Sequence, residues 1–145
     1  LWDRDLPANP NLVTLERDGK KIDAVAQITK HGYVFVFDRV TGKPVFPIEE
    51  RPVPVSDLPG ELAYPTQPFP VLPEPFARQT FTLDDVSDLD SATHSELVEK
   101  FKTIKYSTPF TPPSKEGVWI FPGFDGGGEW GGAAVDPETG ILYVN

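Results

Sequence analysis

The chain has 145 residues, including Gly 12 and Pro 17, with 39% apolar and 12% aromatic residues; this composition favours a loop-rich globular fold over a helical bundle or a disordered chain. Lys+Arg 13 against Asp+Glu 22 gives a formal charge of −9, the wrong sign for neutralising phosphates, so no nucleic-acid partner is expected. Cys 0 removes disulfides and thiolate chemistry, and His31 and His94 alone cannot build a histidine metal cluster.

In chain order, residues 11–15 and 22–28 read as strands joined by the turn signal Arg17-Asp18-Gly19-Lys20. Residues 33–37 form an apolar strand that runs into Asp38-Arg-Val-Thr41-Gly42-Lys43 and resumes over 44–46. Residues 47–81 then hold nine of the 17 prolines, which predicts an extended meander without regular sheet or helix. Thr93-His-Ser-Glu96 has the form of a capping box. Leu97, Val98, Phe101 and Ile104 follow on one helical face, so the spacing predicts an amphipathic helix over 93–104.

Residues 118–121 read as a further strand, and 133–135 repeat the earlier pattern, with Asp136-Pro-Glu-Thr139-Gly140 leading into a strand over 141–144. In such a hairpin Asp caps the turn through its side chain, Thr adds a hydroxyl, and Gly takes the positive φ. Recurring hairpins of this kind are what β-propeller blades look like. The expectation is an all-β, mostly antiparallel domain over 1–145, in which 47–110 is a proline-rich insertion between blade hairpins. No apolar run is long enough for a membrane helix, and Leu1-Trp2-Asp3 does not read as a signal segment.

Few residues carry candidate chemistry. Asp3 and Asp5 flank Arg4 beside Trp2; a carboxylate against an indole can act as a base, or can simply cap a turn. Lys30, just before the strongest strand, either holds an anionic ligand or is a solvated lysine. Phe124-Asp-Gly-Gly-Gly-Glu-Trp130-Gly-Gly132 brackets an acid and an indole with glycines. That pattern suits the close approach of a flat ligand, and equally a tight corner around a core Trp. It is not a phosphate loop: no Lys-Ser/Thr pair follows, and Asp125 and Glu129 would repel phosphate. Hydrolase signatures such as Gly-x-Ser-x-Gly and His-Glu-x-x-His are absent.

Eight motifs in order resemble a known family. They are Trp2-Asp3-x-Asp5-Leu-Pro-Ala8, Lys30-x-Gly32, Val36-Phe-Asp38-Arg-x-Thr41-Gly42, Glu50-x-Pro-Val-Pro54, Pro65-Thr-Gln-Pro-Phe69, Phe110-Thr-Pro-Pro-Ser114, Phe121-Pro-Gly123 and Glu129-Trp-Gly-Gly132. Taken together they resemble the quinoprotein glucose dehydrogenases, which use pyrroloquinoline quinone (PQQ). The resemblance implies two to three antiparallel blades of an eight-bladed β-propeller, in an enzyme that oxidises an aldose such as glucose, or a related alcohol, by hydride transfer to the quinone. It implies Asp3 as the catalytic base, Lys30 at the quinone oxygens, and Asn145, Glu129 and Trp130 at the cofactor. It further implies a divalent metal, calcium, whose ligands lie mostly outside this stretch, a quinone or cytochrome as electron acceptor, and a periplasmic or periplasm-facing membrane location. The competing expectation is a non-catalytic propeller scaffold that binds protein partners.

Overall fold

Alternating side chains build the first sheet. In the computed structural model, which describes residues 1–145, β1 (Asn11–Arg17), β2 (Lys20–Ile28) and β3 (Val34–Asp38) pair antiparallel in the order β1-β2-β3. Ala24, Ala26, Ile28, Val34 and Val36 point to one face and form a buried cluster, against which Val13, Leu15 and Ile22 pack. The period of two along each strand puts them there. The turn between β1 and β2 has positive φ at both Asp18 (52°) and Gly19 (70°), the mirror-image turn that matches the twist of a hairpin.

The repeated Asp-x-x-Thr-Gly turns form as expected. Asp38 Oδ1 accepts from the amides of Val40 (2.9 Å) and Thr41 (2.8 Å), and Gly42 closes the turn at φ 72°. Asp136 accepts from the amide of Glu138 (2.9 Å) and the hydroxyl of Thr139 (2.8 Å), with Gly140 at φ 71°. These bonds favour the charged form and hold both carboxyls below their ordinary values, Asp38 chiefly through the Thr41 amide and Asp136 through the Thr139 side chain. The second turn joins β6 (Ala133–Asp136) to β7 (Ile141–Val144); Ala133, Leu142 and Val144 pack on the first core, and Asn11 Nδ2 donates to the Ala133 carbonyl at 2.7 Å.

Four local expectations are corrected. Residues 44–46 do not form a strand: a single bridge, Phe37 to Pro44, is followed by one bond from Val45 N to Val36 O, and Phe46 turns back to lie under Arg17. Pro44 and Pro47 withhold the amides that a longer ladder needs. Residues 47–81 are not without sheet, because β4 (Ile48–Pro52) pairs antiparallel with β5 (Thr66–Pro70). Pro52, Pro68 and Pro70 all fall in even-numbered partner pairs, while the flanking bonds, Val53 N to Pro65 O and Val71 N to Pro47 O, run through odd-numbered ones. Each strand proline therefore sits where no amide is asked of it.

The helix, α1 (Ser91–Thr103), starts two residues earlier than its sequence signal, and its cap is Asp90, whose side chain accepts from the Thr93 amide at 2.9 Å. Thr93 is inside the first turn, so the apparent capping box is not the one used. The expected face is the inner one, with Phe101 against Phe81 and Trp119. Residues 118–121 make only a parallel bridge, Val118 to Lys105, because their apolar rings are drawn into this aromatic cluster rather than into a sheet.

A second buried cluster joins the first sheet to the β4–β5 hairpin. Tyr33, Val53, Phe69 and Phe110 form it, with Phe69 edge to face against both Tyr33 and Phe110, and Trp2 packs on Phe110 with ring centroids 5.3 Å apart. This cluster carries the segment that contains Asp3. No helix is long and apolar enough to cross a membrane.

Candidate functional site

Lys30 projects from the tight turn between β2 and β3. Thr29 closes that turn, its amide donating to Tyr33 O (2.9 Å) and its hydroxyl oxygen accepting from Tyr33 N (3.0 Å). Two other segments clamp it. The Phe76 amide donates to Gly32 O (2.9 Å) and Gln79 Nε2 to His31 O (2.6 Å), while the Gly127 amide donates to Lys30 O (2.6 Å). A Cβ at Gly126 would stand 2.5 Å from Lys30 Cγ, and one at Gly127 would stand 2.8 Å from Gly32 Cα. The glycine stretch is therefore needed for protein packing against the Lys30 turn, a role that sequence spacing does not reveal.

Three carboxylates from two distant segments converge on Lys30. Its Nζ lies 3.0 Å from both oxygens of Asp3, 3.4 Å from Asp5 Oδ1 and 3.5 Å from Glu129 Oε1. The lysine side chain is 12% exposed, whereas Asp3 is 43% exposed. The hydrogen bond to Asp3 raises the Lys30 ammonium above its ordinary pKa despite partial burial, and Asp5 adds to it. The Asp5 carboxyl is held below its ordinary value, first by its side-chain link to Asp3 and then by its own amide and by Lys30.

Asp3 also forms part of the wall of a cleft of about 80 Å³ lined by Thr108, Trp119, Ile120 and Phe124. An ion-paired, solvent-reachable carboxylate at the edge of an apolar cleft can take a proton from a hydroxyl group brought there. Glu129 joins the Lys30 cluster, while Trp130 leaves 86% of its surface exposed, so it is not the core of a glycine corner. Asn145 stands against Gly131, where any Cβ would collide with its amide, and its own backbone amide donates to Gly132 O at 3.1 Å. The structure thus brings Asp3, Lys30 and Glu129 together, and places Trp130 and Asn145 on the adjoining stretch. Asp5 and Arg4 complete the site. In the sequence Arg4 is marked only by its place between two acids.

Residues 1–145 match the family model for the β-propeller domain of PQQ-dependent glucose, ethanol and alcohol dehydrogenases. The chain belongs to this family. Its open-edged antiparallel sheets agree with a portion of propeller blades. Over its full length this PQQ-propeller chain is 42% identical to a quinoprotein glucose dehydrogenase of Gluconobacter oxydans, covering 18% of that protein. It is 38% identical to the large subunit of a glycerol dehydrogenase of Gluconobacter thailandicus, covering 20% of it, and 38% identical to a quinate/shikimate dehydrogenase (quinone) of Acinetobacter baylyi, covering 18%. The chain therefore spans about a fifth of the length of these relatives. No solved structure matches it.

Proposed function

We propose that the chain supplies the base and part of the cofactor wall of a PQQ-dependent dehydrogenase that oxidises an aldose such as glucose, or a related alcohol. The observation that carries this reading is the single Lys30 ammonium lying within 3.0 Å of Asp3 and 3.5 Å of Glu129, residues far apart in the chain. Relatives named for glucose, glycerol and quinate share one reacting unit, a carbon bearing both a hydroxyl and a hydrogen.

In this reading Asp3 accepts the hydroxyl proton of a substrate held in the adjoining cleft, where Trp119 and Phe124 supply apolar wall. The residues present suit PQQ: Trp130 offers an exposed indole face for a flat ring, and Lys30 carries three N–H donors in a cluster that already holds it in place. Lys30 would hold the quinone oxygens, with Glu129 and Asn145 at the ring edge. When bound, PQQ supplies the hydride acceptor. With PQQ bound, the positive charge of Lys30 would stabilise negative charge on the reduced cofactor.

Calcium is a different matter. The carboxylates here converge on an ammonium, and no three acidic or imidazole groups are placed to hold a metal ion; a calcium site would take its ligands from the rest of the parent protein. A quinone or cytochrome acceptor and a periplasmic or periplasm-facing location complete the reading. It is tested by loading the parent protein with PQQ and calcium and following dye reduction with glucose, glycerol, quinate and simple alcohols. Turnover that Asp3→Asn abolishes supports it; a loaded parent that reduces no dye with any of them contradicts it.

A further inference from the structure

We infer that Arg4 is a positioning residue for the base: it pins the Asp3–Asp5 segment so that both carboxylates face Lys30. The inference rests on the reading of Asp3 as the base. Every donor contact of the Arg4 guanidinium goes to a backbone carbonyl outside the Lys30 cluster. Nε and Nη2 donate to Pro109 O at 3.1 and 2.9 Å, Nη1 to Pro122 O at 2.9 Å, and Nη2 again to Phe121 O at 3.3 Å. Two segments far along the chain are gripped at once by one rigid fork.

On either side of Arg4, Asp3 reaches to 3.0 Å and Asp5 to 3.4 Å from Lys30 Nζ. Fixing the guanidinium therefore fixes the rotation of the main chain about residues 3–5, and with it the aim of Asp3. The segments Arg4 holds also supply Thr108, Ile120 and Phe124 to the cleft beside Asp3, so one side chain ties the base to the wall that presents substrate. A lysine cannot do the same, because an ammonium on a flexible stem does not span three carbonyls in a planar fork.

The test uses the full parent protein with Arg4→Ala and Arg4→Lys, and Arg78→Ala as the control. Arg78 lies over the Phe121 ring, 5.3 Å from its centroid, and pairs with Asp85, so its loss loosens the same loop without touching residues 3–5. Two quantities are read: kcat and KM with PQQ loaded, and the rate of amine labelling of Lys30 in the cofactor-free protein, followed by mass spectrometry. Since Asp3, and after it Asp5, raises the Lys30 pKa, freeing the segment that carries them leaves more neutral amine and faster labelling.

The expected result is a kcat about tenfold to a hundredfold lower in Arg4→Ala, the scale of a small misplacement of a reacting group, with a smaller change in KM. Lys30 labelling should be about threefold or more faster, as the Lys30 pKa falls back toward its ordinary value. Arg4→Lys should fall between Arg4→Ala and the parent on both quantities, and it keeps the test open if Arg4→Ala does not fold. Arg78→Ala should lose heat stability with both quantities unchanged. Arg4 variants that lose heat stability alone, with kcat and Lys30 labelling as in the parent, would overturn the inference. A parent inactive on every substrate sinks the dehydrogenase reading instead, and the labelling comparison still decides whether Arg4 aims Asp3.

Discussion

Lys30 and His31 are adjacent and meet burial in opposite ways. Lys30 keeps its charge because three carboxylates surround it. His31, 6% exposed and edge-on to Tyr33 and Phe110, has no acidic partner, so burial, helped by the charge of Arg4, lowers its pKa to about 4. The unfolded chain takes up a proton near the ordinary value of 6.5 that the folded chain refuses until about 4. Stability therefore falls as pH drops through that window and levels off below it. Replacing His31 with Phe keeps the ring contacts and removes the titration. Thermal melts of the parent protein at pH 7 and pH 5 should then show a smaller loss in His31→Phe than in the unaltered protein, and equal losses would mean that His31 is not the group responsible. The depressed carboxyls of Asp5, Asp38 and Asp136 act in a lower range: their contribution is present above the ordinary carboxylate value and is lost as pH falls through their folded values.

Among the elements, α1 offers a direct check on where a helix begins. Asp90→Ala removes the side chain that accepts from the Thr93 amide and should cost about 1 kcal/mol in denaturant melts, while Thr93→Ala should cost well under that. The reverse order would restore the cap suggested by the sequence. The glycine stretch gives a second check. Gly126 has φ 76°, and a Cβ there would meet Lys30 Cγ at 2.5 Å, so Gly126→Ala should lower the melting temperature and disturb the Lys30 cluster together, whereas Gly19→Ala, which meets no atom within 4 Å, should strain only its own turn. The two Asp-x-x-Thr-Gly turns are legible because they are made by bonds between residues a few positions apart, although only the second closes a two-stranded hairpin. The β4–β5 pairing was not, since whether a proline breaks a ladder depends on its parity against a partner strand that local pattern does not supply. The same holds at the site. Asp3 and Lys30 are 27 residues apart, and nothing local announces their contact; in the sequence Asp3, Asp5 and Lys30 stand out only as charges with an ordinary reading beside the functional one, the resemblance gives Asp3 and Lys30 their expected roles, and the geometry joins all three and adds the grip of Arg4.

At the scale of the whole molecule, burial is thin. Of 145 residues 19 are buried, and the three sheets keep unpaired edges. Leu12, at 65% exposed, and Leu62, at 94%, leave apolar surface open to water. Strand edges and apolar faces of this kind invite association. Expressed alone, the chain should bind an apolar dye and self-associate, and a monomeric, sharply melting product that binds no such dye would contradict this account of its surfaces. The central claim concerns the convergence on Lys30 and is tested most directly by titrating PQQ into the cofactor-free parent protein, its Lys30→Ala and Trp130→Ala variants, and Asp3→Asn. The account predicts weaker binding in the first two variants, and near-normal binding in Asp3→Asn, which then fails to turn over. PQQ binding that is unchanged in both Lys30→Ala and Trp130→Ala would contradict the assignment of this site.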